Sequence, residues 1–135
     1  NSIACSRALD FIHHFDSDAK AVFLMVDDLY EEKEGSENTC WLYDADFEYL
    51  AQDEVKRVVV AGARNLDHKL RLLMAGVPED RIVCVLEEKD AVAPLVEAAK
   101  ELGVDSMFIL HEVFGYQRAN QVRECVRERL VSDNA

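Results

Sequence analysis

Apolar residues follow two alternating patterns along this chain. Short runs of consecutive apolar residues, which are typical of strands buried on both faces, predict strands over residues 20–26, 55–61, 81–86 and 106–110. Apolar residues three and four positions apart predict amphipathic helices over about residues 2–15, 66–74, 92–102 and 116–130. Gly76 and Gly103 end two of these helices in the manner of C-terminal caps.

The segment after the first strand breaks this regularity. Residues 29–40 are polar and predict a loop. Residues 41–43, Trp-Leu-Tyr, are interpreted as a short strand. Asp44 or Asp46 is placed to cap a short helix that contains Phe47.

Repeated strand–helix units with short connections predict the α/β class, with a mostly parallel sheet flanked by helices on both faces in a three-layer Rossmann-like domain. The sequence shows no repeat, low-complexity tract or internal boundary. A length of 135 residues is within the range of one domain. We therefore expect residues 1–135 to form a single domain. Because residue 1 is not Met, we expect this domain to be excised from a longer protein.

Charge narrows the classes of partner. The 27 acidic and 15 basic residues give a net charge of −12. A field of that sign repels nucleic-acid phosphates and anionic lipid, so neither is an expected partner. No apolar run approaches the roughly 20 residues that a membrane span needs.

The cysteines favour a reduced, cytoplasmic protein. Cys5, Cys40, Cys84 and Cys125 are far apart and form no CxxC pair, so neither a zinc site nor a disulfide framework is predicted. Cys84 lies in an apolar run and Cys125 in a helical stretch, and both are interpreted as packing residues.

Chemistry in such a fold is expected where the strands end, because ligands and partners of parallel sheets meet the carboxyl ends of the strands. Asp27 and Asp28 follow the first strand and resemble the acidic pair of a response-regulator receiver. The receiver hypothesis fails, because Gly62 stands where the phosphoacceptor Asp is needed. Gly62 and Arg64 lie between a strand and a helix, where backbone N–H groups could hold an anion.

Histidines and aromatic residues leave alternatives open. His68 is predicted on the polar side of the helical stripe formed by Leu66, Leu70, Leu73 and Met74. His111, at a strand end, is the one histidine we treat as a candidate functional residue. The aromatic residues of segment 41–47 are interpreted either as core or as anchors of a protein interface.

Several segments together resemble the C-terminal domain of the MurT subunits, which are related to Mur ligases. The matching runs, which extend over nearly the whole chain, are Trp41-Leu42-Tyr43-Asp44-Ala45-Asp46-Phe47-Glu48, Val60-Ala61-Gly62-Ala63-Arg64, Leu70-Arg71-Leu72 and Ala75-Gly76-Val77. The resemblance implies a Mur ligase C-terminal type of fold. It also implies a parent that resembles the glutamine-hydrolysing lipid II isoglutaminyl synthase, an amide ligase, with this domain inactive when isolated.

The resemblance also implies partners and cofactors. A GatD-like glutamine amidotransferase would supply ammonia, and the central domain of the parent would use ATP and Mg to activate D-glutamate in lipid II for peptidoglycan biosynthesis. No cofactor or metal is expected in this domain. The domain would dock the amidotransferase through Asp27, Asp28, Trp41, Asp44 and Asp46.

The resemblance further implies that this domain lends the amidotransferase an acid that orients its catalytic histidine. Counting forward from Gly35 puts that position on Glu37, and counting back from Trp41 puts it on Asn38, since the loop is longer than in the family. Two alternatives remain: a Rossmann-like scaffold or ligand-binding domain that has lost the triad acid, and an independent small α/β enzyme.

Overall fold

Four parallel strands form the centre of the fold, with helices on both faces. The computed structural model describes residues 2–26 and 39–133. The strands are β1 (Lys20–Met25), β2 (Val55–Ala61), β3 (Ile82–Val85) and β4 (Ser106–His111). The α-helices in the described parts are α1 (Ser2–His14), α2 (Trp41–Asp44), α3 (Asn65–Met74), α4 (Val92–Glu101) and α5 (Tyr116–Asp133). Short 3-10 helices cover Phe47–Ala51, Glu79–Arg81, Glu88–Ala91 and Val113–Gly115.

The strands lie in the order β3-β2-β1-β4, and all neighbours pair in parallel. The described part of the connection from β1 to β2 and the connection from β2 to β3 pack on one face, whereas α4 returns the chain to β4 across the other face. The direction of the winding therefore reverses between β1 and β4. In open parallel sheets that reversal point is the usual place for binding.

Alternate residues of each strand enter two separate cores. Val22 and Leu24 of β1 pack against α1, α3 and the Phe47–Ala51 helix. Ala21, Phe23 and Met25 pack against α4 and α5. Side chains that alternate between two covered faces explain why the strands appear in the sequence as continuous apolar runs. The predicted α/β class and three-layer architecture are confirmed.

The predicted strand at residues 41–43 is wrong, because these residues begin α2. Leu42 and Ala45 are buried whereas Tyr43 and Asp44 are exposed, which is a helical pattern. Three residues are too few to separate a period of 2 from one of 3.6. Asp46 is the N-cap residue of the Phe47–Ala51 helix, as expected, although its side chain makes no capping hydrogen bond.

The predicted apolar stripe of α3 is also wrong. Leu66, Leu70, Leu73 and Met74 are exposed by 72%, 51%, 38% and 61%, and the buried face of the helix instead carries His68, Arg71 and Leu72. Cys125 is exposed rather than packed. The predicted helix ends are confirmed at Gly76 and Gly103, whose φ angles of 97° and 69° favour glycine.

Candidate functional site

The carboxyl edge of the sheet, where β1 to β4 end, is the candidate site. Its rim is formed by Val26, the turn at residues 62–64, residues 86–88 and residues 111–116. Three strand spacings of about 4.8 Å separate β3 from β4, so the rim is about 14 Å wide. Of the residues predicted here, Asp27, Asp28, Glu37 and Asn38 lie outside the described residues.

Large apolar side chains are exposed at this edge on both sides of β1. Leu66 follows β2, Leu86 follows β3, and Val113, Phe114 and Tyr116 follow β4. Their exposed fractions are 72%, 70%, 85%, 81% and 60%. We call these five residues the carboxyl-edge patch. Exposed apolar groups that cluster at one edge indicate an interaction surface rather than a random surface feature.

The sequence prediction missed this patch. Leu86 was predicted as the last residue of the strand over residues 81–86, whereas β3 ends at Val85 and Leu86 lies in the connection that follows. Val113 and Phe114 fall in a connection rather than in a periodic stripe, so a search based on periodicity passes over them. The available signal was an apolar pair shortly after a predicted strand. A Val-Phe pair in a connection has no core to enter, which would have indicated exposure.

Arg118 links the two connections that border the patch. Its guanidinium donates to the Glu88 carboxylate and lies 3.8 Å from the Glu112 carboxylate. One residue on α5 thereby ties the connection after β3 to the connection after β4. Gly115 lets the chain pass close by, since a Cβ there would come within 3.3 Å of Arg118 Nη2. These contacts hold Val113 and Phe114 in a defined place.

The predicted anion site lies at the turn from β2 to α3. Gly62 has a φ of 115°, and its N–H donates to the carbonyl of Val85 at 3.2 Å. Arg64 precedes α3 and lies 3.9 Å from Asp67 in the first helical turn. Asn65 closes the turn by donating its side-chain amide to the Gly62 carbonyl at 2.8 Å. Anion binding by Gly62 and Arg64 stays a prediction.

His111 ends β4 and is exposed at the rim. Its Nδ1 lies 2.8 Å from the Glu112 carbonyl, and its ring is 6.0 Å from the Tyr116 ring. The histidine therefore belongs to the same surface as the patch.

Segment 41–48 runs from the carboxyl edge down the face formed by α1 and α3. Trp41 is half-buried, with its ring 6.3 Å from Phe47 and 6.4 Å from His68. Asp44 and Asp46 are exposed, and the Asp46 N–H donates to the Ser6 hydroxyl at 2.9 Å. Because Ser6 lies about one turn into α1, the two aspartates border the carboxyl edge rather than form its rim.

Arg71 on α3 fixes the course of this segment. The side chain is 6% exposed, and it donates to the carbonyls of Leu42 and Ala45, each at 2.8 Å. It also contacts the Glu48 carboxylate at 2.8 and 3.1 Å, and its guanidinium lies 5.6 Å from the centre of the Phe47 ring. A helix of one turn, such as α2, is not stable by itself. The bonds from Arg71 therefore stabilise it in its observed position. The sequence analysis identified segment 41–48 and the run Leu70-Arg71-Leu72, but it did not predict the contact between them.

His68 is 2% exposed, which corrects its predicted place on the polar side of α3. Burial lowers the pKa of His68 to about 4, and the nearby Asp67 carboxylate opposes that shift. His68 is therefore neutral at pH 7. Burial likewise raises the pKa of the Cys5 thiol to about 11, so Cys5 carries no thiolate for nucleophilic chemistry.

Within residues 2–26 and 39–133, no three His, Cys, Asp or Glu side chains are grouped to hold a metal ion. None of the helices in the same ranges is long and apolar enough to span a bilayer.

Comparison of the sequence with known proteins identifies a matching family. Residues 1–112 match the family described as MurT ligase C-terminal, from α1 to just past β4. Two curated relatives are lipid II isoglutaminyl synthase (glutamine-hydrolyzing) subunit MurT proteins from Staphylococcus aureus, strains COL and N315. Each is 41% identical over 46 residues, which cover 34% of this chain and 10% of the relative. The aligned region is thus a tenth of the length of those relatives.

Proposed function

This chain belongs to the MurT ligase C-terminal family, and on that premise we propose that it docks a GatD-like glutamine amidotransferase through its carboxyl edge. The parent is a MurT-like ligase subunit that amidates the D-glutamate of lipid II in peptidoglycan biosynthesis. ATP and Mg act in the central domain of that parent. This domain contributes the docking surface and is no enzyme by itself.

The carboxyl-edge patch is the observation that supports docking most directly. Five large apolar side chains, each at least 60% exposed, lie along the edge that contains the point where the winding of the sheet reverses. Apolar and aromatic anchors such as Phe114 and Tyr116 supply most of the binding energy in protein interfaces. A rim of about 14 Å fits beneath a standard interface, which buries about 800 Å² on each partner.

Charge around the patch favours a partner with a basic rim. Glu87, Glu88 and Glu112 border the patch, and the whole chain carries a net charge of −12. Opposite charges at the rim of an interface accelerate association and exclude wrong partners. We also assign Asp27, Asp28, Trp41, Asp44 and Asp46 to this contact, with Trp41 at its border.

Glu37 is our choice for the carboxylate lent to the amidotransferase, and Asn38 is the other position. A carboxylate orients the catalytic imidazole and stabilises its charged form. An asparagine could orient the ring but carries no charge to stabilise it. The choice therefore separates a triad-completing domain from a scaffold that only docks.

Docking is tested with a matched pair of variants in the full-length parent, mixed with the amidotransferase encoded beside it. Val113→Asp puts a charge in the patch, whereas Val131→Asp puts one at the far end of α5, where Val131 is 72% exposed. Placing an unpaired charge in an interface costs about 2 kcal/mol or more, so we expect Val113→Asp to weaken the complex about 30-fold or more. Val131→Asp should bind as the unmodified protein does.

Equal affinity of the two variants would contradict docking through the carboxyl edge. Leu70→Asp extends the test down the exposed face of α3, which begins at the patch with Leu66. Loss of binding only with Leu70→Asp would move the contact to α3. Thermal unfolding of each variant checks that the fold persists.

The triad role is tested by glutaminase activity of the complex. Glu37→Ala should abolish activity while leaving complex formation unchanged, and Asn38→Asp should leave activity intact. Full activity of Glu37→Ala would remove Glu37 from the triad. Gain of activity in Asn38→Asp would favour the alternative, a scaffold whose acid has been replaced by Asn38.

A further inference from the structure

The outer edge of β4 presents backbone groups that no strand pairs with in the described parts of the chain. The sheet ends at β4, which pairs with β1 on its inner side only. The Lys20 N–H donates to the Glu54 carbonyl at 2.7 Å, so the even-numbered residues of β1 point their backbone groups toward β2 and the odd-numbered ones toward β4. Ala21 and Phe23 pair with Met107 and Ile109, and in a parallel ladder the partner of a residue that bonds across points away. Met107, Ile109 and His111 therefore point their N–H and C=O groups outward.

This edge lacks the features that normally protect an edge strand. Edge strands usually carry Lys, Pro or a bulge that prevents another strand from adding. Residues 106–111 contain neither Lys nor Pro, and their register with β1 is regular over all six positions. An open groove of about 1260 Å³ runs along the strand between α1 and α5. Among residues 2–26 and 39–133, no strand pairs with the outer side of β4, and that side can accept an extended chain.

The two walls of this groove differ in chemistry. On the α1 side, the rings of Phe11 and Phe15 lie 6.3 and 5.1 Å from the Phe108 ring, and Phe11 is 63% exposed. On the α5 side, Arg123 and Arg127 line the groove. The α1 wall is therefore apolar and aromatic. The α5 wall combines two cationic side chains with the apolar Val126 and Leu130, and Asp105 and Glu112 also line the groove.

Within the described ranges, the contacts of the two arginines lie on their own helix. Arg123 donates to the Asn120 side chain, and Arg127 lies 3.4 Å from Glu124. The Arg127–Glu124 pair is exposed, with side-chain exposures of 69% and 50%. Exposed pairs of this kind are worth little, so either guanidinium can turn to an incoming carboxylate at low cost.

We propose that β4 binds an extended polypeptide segment of a partner protein that alternates apolar and acidic side chains. Side chains of an added strand would alternate between the two walls. Apolar ones would meet Phe11 and Phe108, and acidic ones would meet Arg123 and Arg127. Two acids at alternate strand positions lie about 6.7 Å apart, close to the rise of about 6 Å between arginines four residues apart on a helix.

Charge excludes a second copy of this chain as the occupant. A copy pairing through residues 106–111 of its own β4 would bring Met107 and Ile109 to the arginines, and that stretch contains no acid. Two α5 helices placed side by side about a two-fold axis at Phe108 would also bring their arginines together. Val113 and Tyr116 of the carboxyl-edge patch also line the groove, but this inference rests on the backbone edge of β4 and does not depend on amidotransferase docking.

The first test is amide hydrogen exchange in the chain alone, followed by NMR. The amides of Phe108 and Leu110, which point toward β1, should exchange slowly. Those of Met107 and Ile109, which point outward, should exchange rapidly. Slow exchange of Met107 and Ile109 without added peptide would show that the edge is already covered, and would overturn the proposal.

Binding is tested with a capped peptide, Thr-Val-Glu-Val-Glu-Val-Thr, and a matched peptide in which both Glu are Lys. We expect the Glu peptide to slow exchange at Met107 and Ile109 and to bind about tenfold more tightly than the Lys peptide. In the double variant Arg123→Glu with Arg127→Glu, the preference should invert. Both arginines are exposed, so that variant should fold.

Equal binding of the two peptides, an unchanged preference in the double variant, or no binding of the Glu peptide at about 1 mM would each overturn the proposal. Binding that shifts resonances of the carboxyl-edge patch but leaves the Met107 and Ile109 amides in rapid exchange would also do so. That result would place the peptide outside the groove.

Discussion

Replacing Arg71 should loosen segment 41–48 more than any exposed arginine change. Arg71→Met keeps most of the aliphatic stem and removes the donors to Leu42 and Ala45, whose residues are each 1% exposed. A buried carbonyl left without a donor costs about 1–3 kcal/mol, so the two together cost about 4 kcal/mol. The Glu48 pair adds less than about 1 kcal/mol, because that carboxylate is 57% exposed.

The assay is urea unfolding followed both by far-UV circular dichroism and by fluorescence. Trp41 is the single tryptophan of the chain and lies within the segment, so its emission reports the local structure. We expect Arg71→Met to lose about 4 kcal/mol, and Arg71→Lys to lose about half of that, since one ammonium group cannot serve both carbonyls.

Arg127→Met is the matched control. Arg127 is exposed and contacts only Glu124 among the bonds described above, so its replacement should cost less than about 0.5 kcal/mol. If Arg71→Met costs no more than Arg127→Met, the two carbonyl bonds do not hold the segment, and the reasoning is refuted.

Three further predictions concern stability. Burial lowers the pKa of His68 from 6.5 to about 4, so the unfolded chain takes up a proton that the folded chain does not. The free energy of unfolding should therefore fall as pH drops below 6.5, by about 2 kcal/mol between pH 7.5 and pH 5. Urea midpoints measured at both pH values should show a smaller loss in His68→Leu than in the unmodified chain. Lys20→Met removes donors to the Ile12 and His13 carbonyls at 2.7 and 3.1 Å, and calorimetry should show a loss of about 2–3 kcal/mol. Gly76→Ala forces alanine to a φ of 97°, so the same measurement should show a loss of about 1–2 kcal/mol. Absence of any loss would mean that the turn relaxes, and would contradict this prediction.

The sheet could be predicted from the sequence because its signal is local. Residues 20–25 and 55–61 enter a core on each face, so nearly every residue is apolar and the pattern repeats at each strand. The strands and the α/β class need only the composition of short windows, and both were confirmed. The carboxyl edge as the site followed from the parallel topology, and it stays a prediction.

Contacts between distant segments could not be predicted in the same way. The stripe of α3 with the most leucines proved to be the exposed one, because Arg71 turns the opposite face inward to bond Leu42 and Ala45. His68 is buried for the same reason. Helical periodicity shows that an apolar stripe exists but not which face of the helix is buried. That depends here on the bond between the Arg71 guanidinium and a carbonyl 29 residues away in the sequence.

Hydrogen–deuterium exchange of the parent protein, with and without the amidotransferase, is the most direct test of docking at the carboxyl edge. We predict that the partner slows exchange in residues 62–66, 86–88 and 111–116, and leaves residues 15–19 and 103–105 at the amino ends of the strands unchanged. Slowed exchange at the amino ends, with residues 111–116 unaffected, would contradict the proposed function.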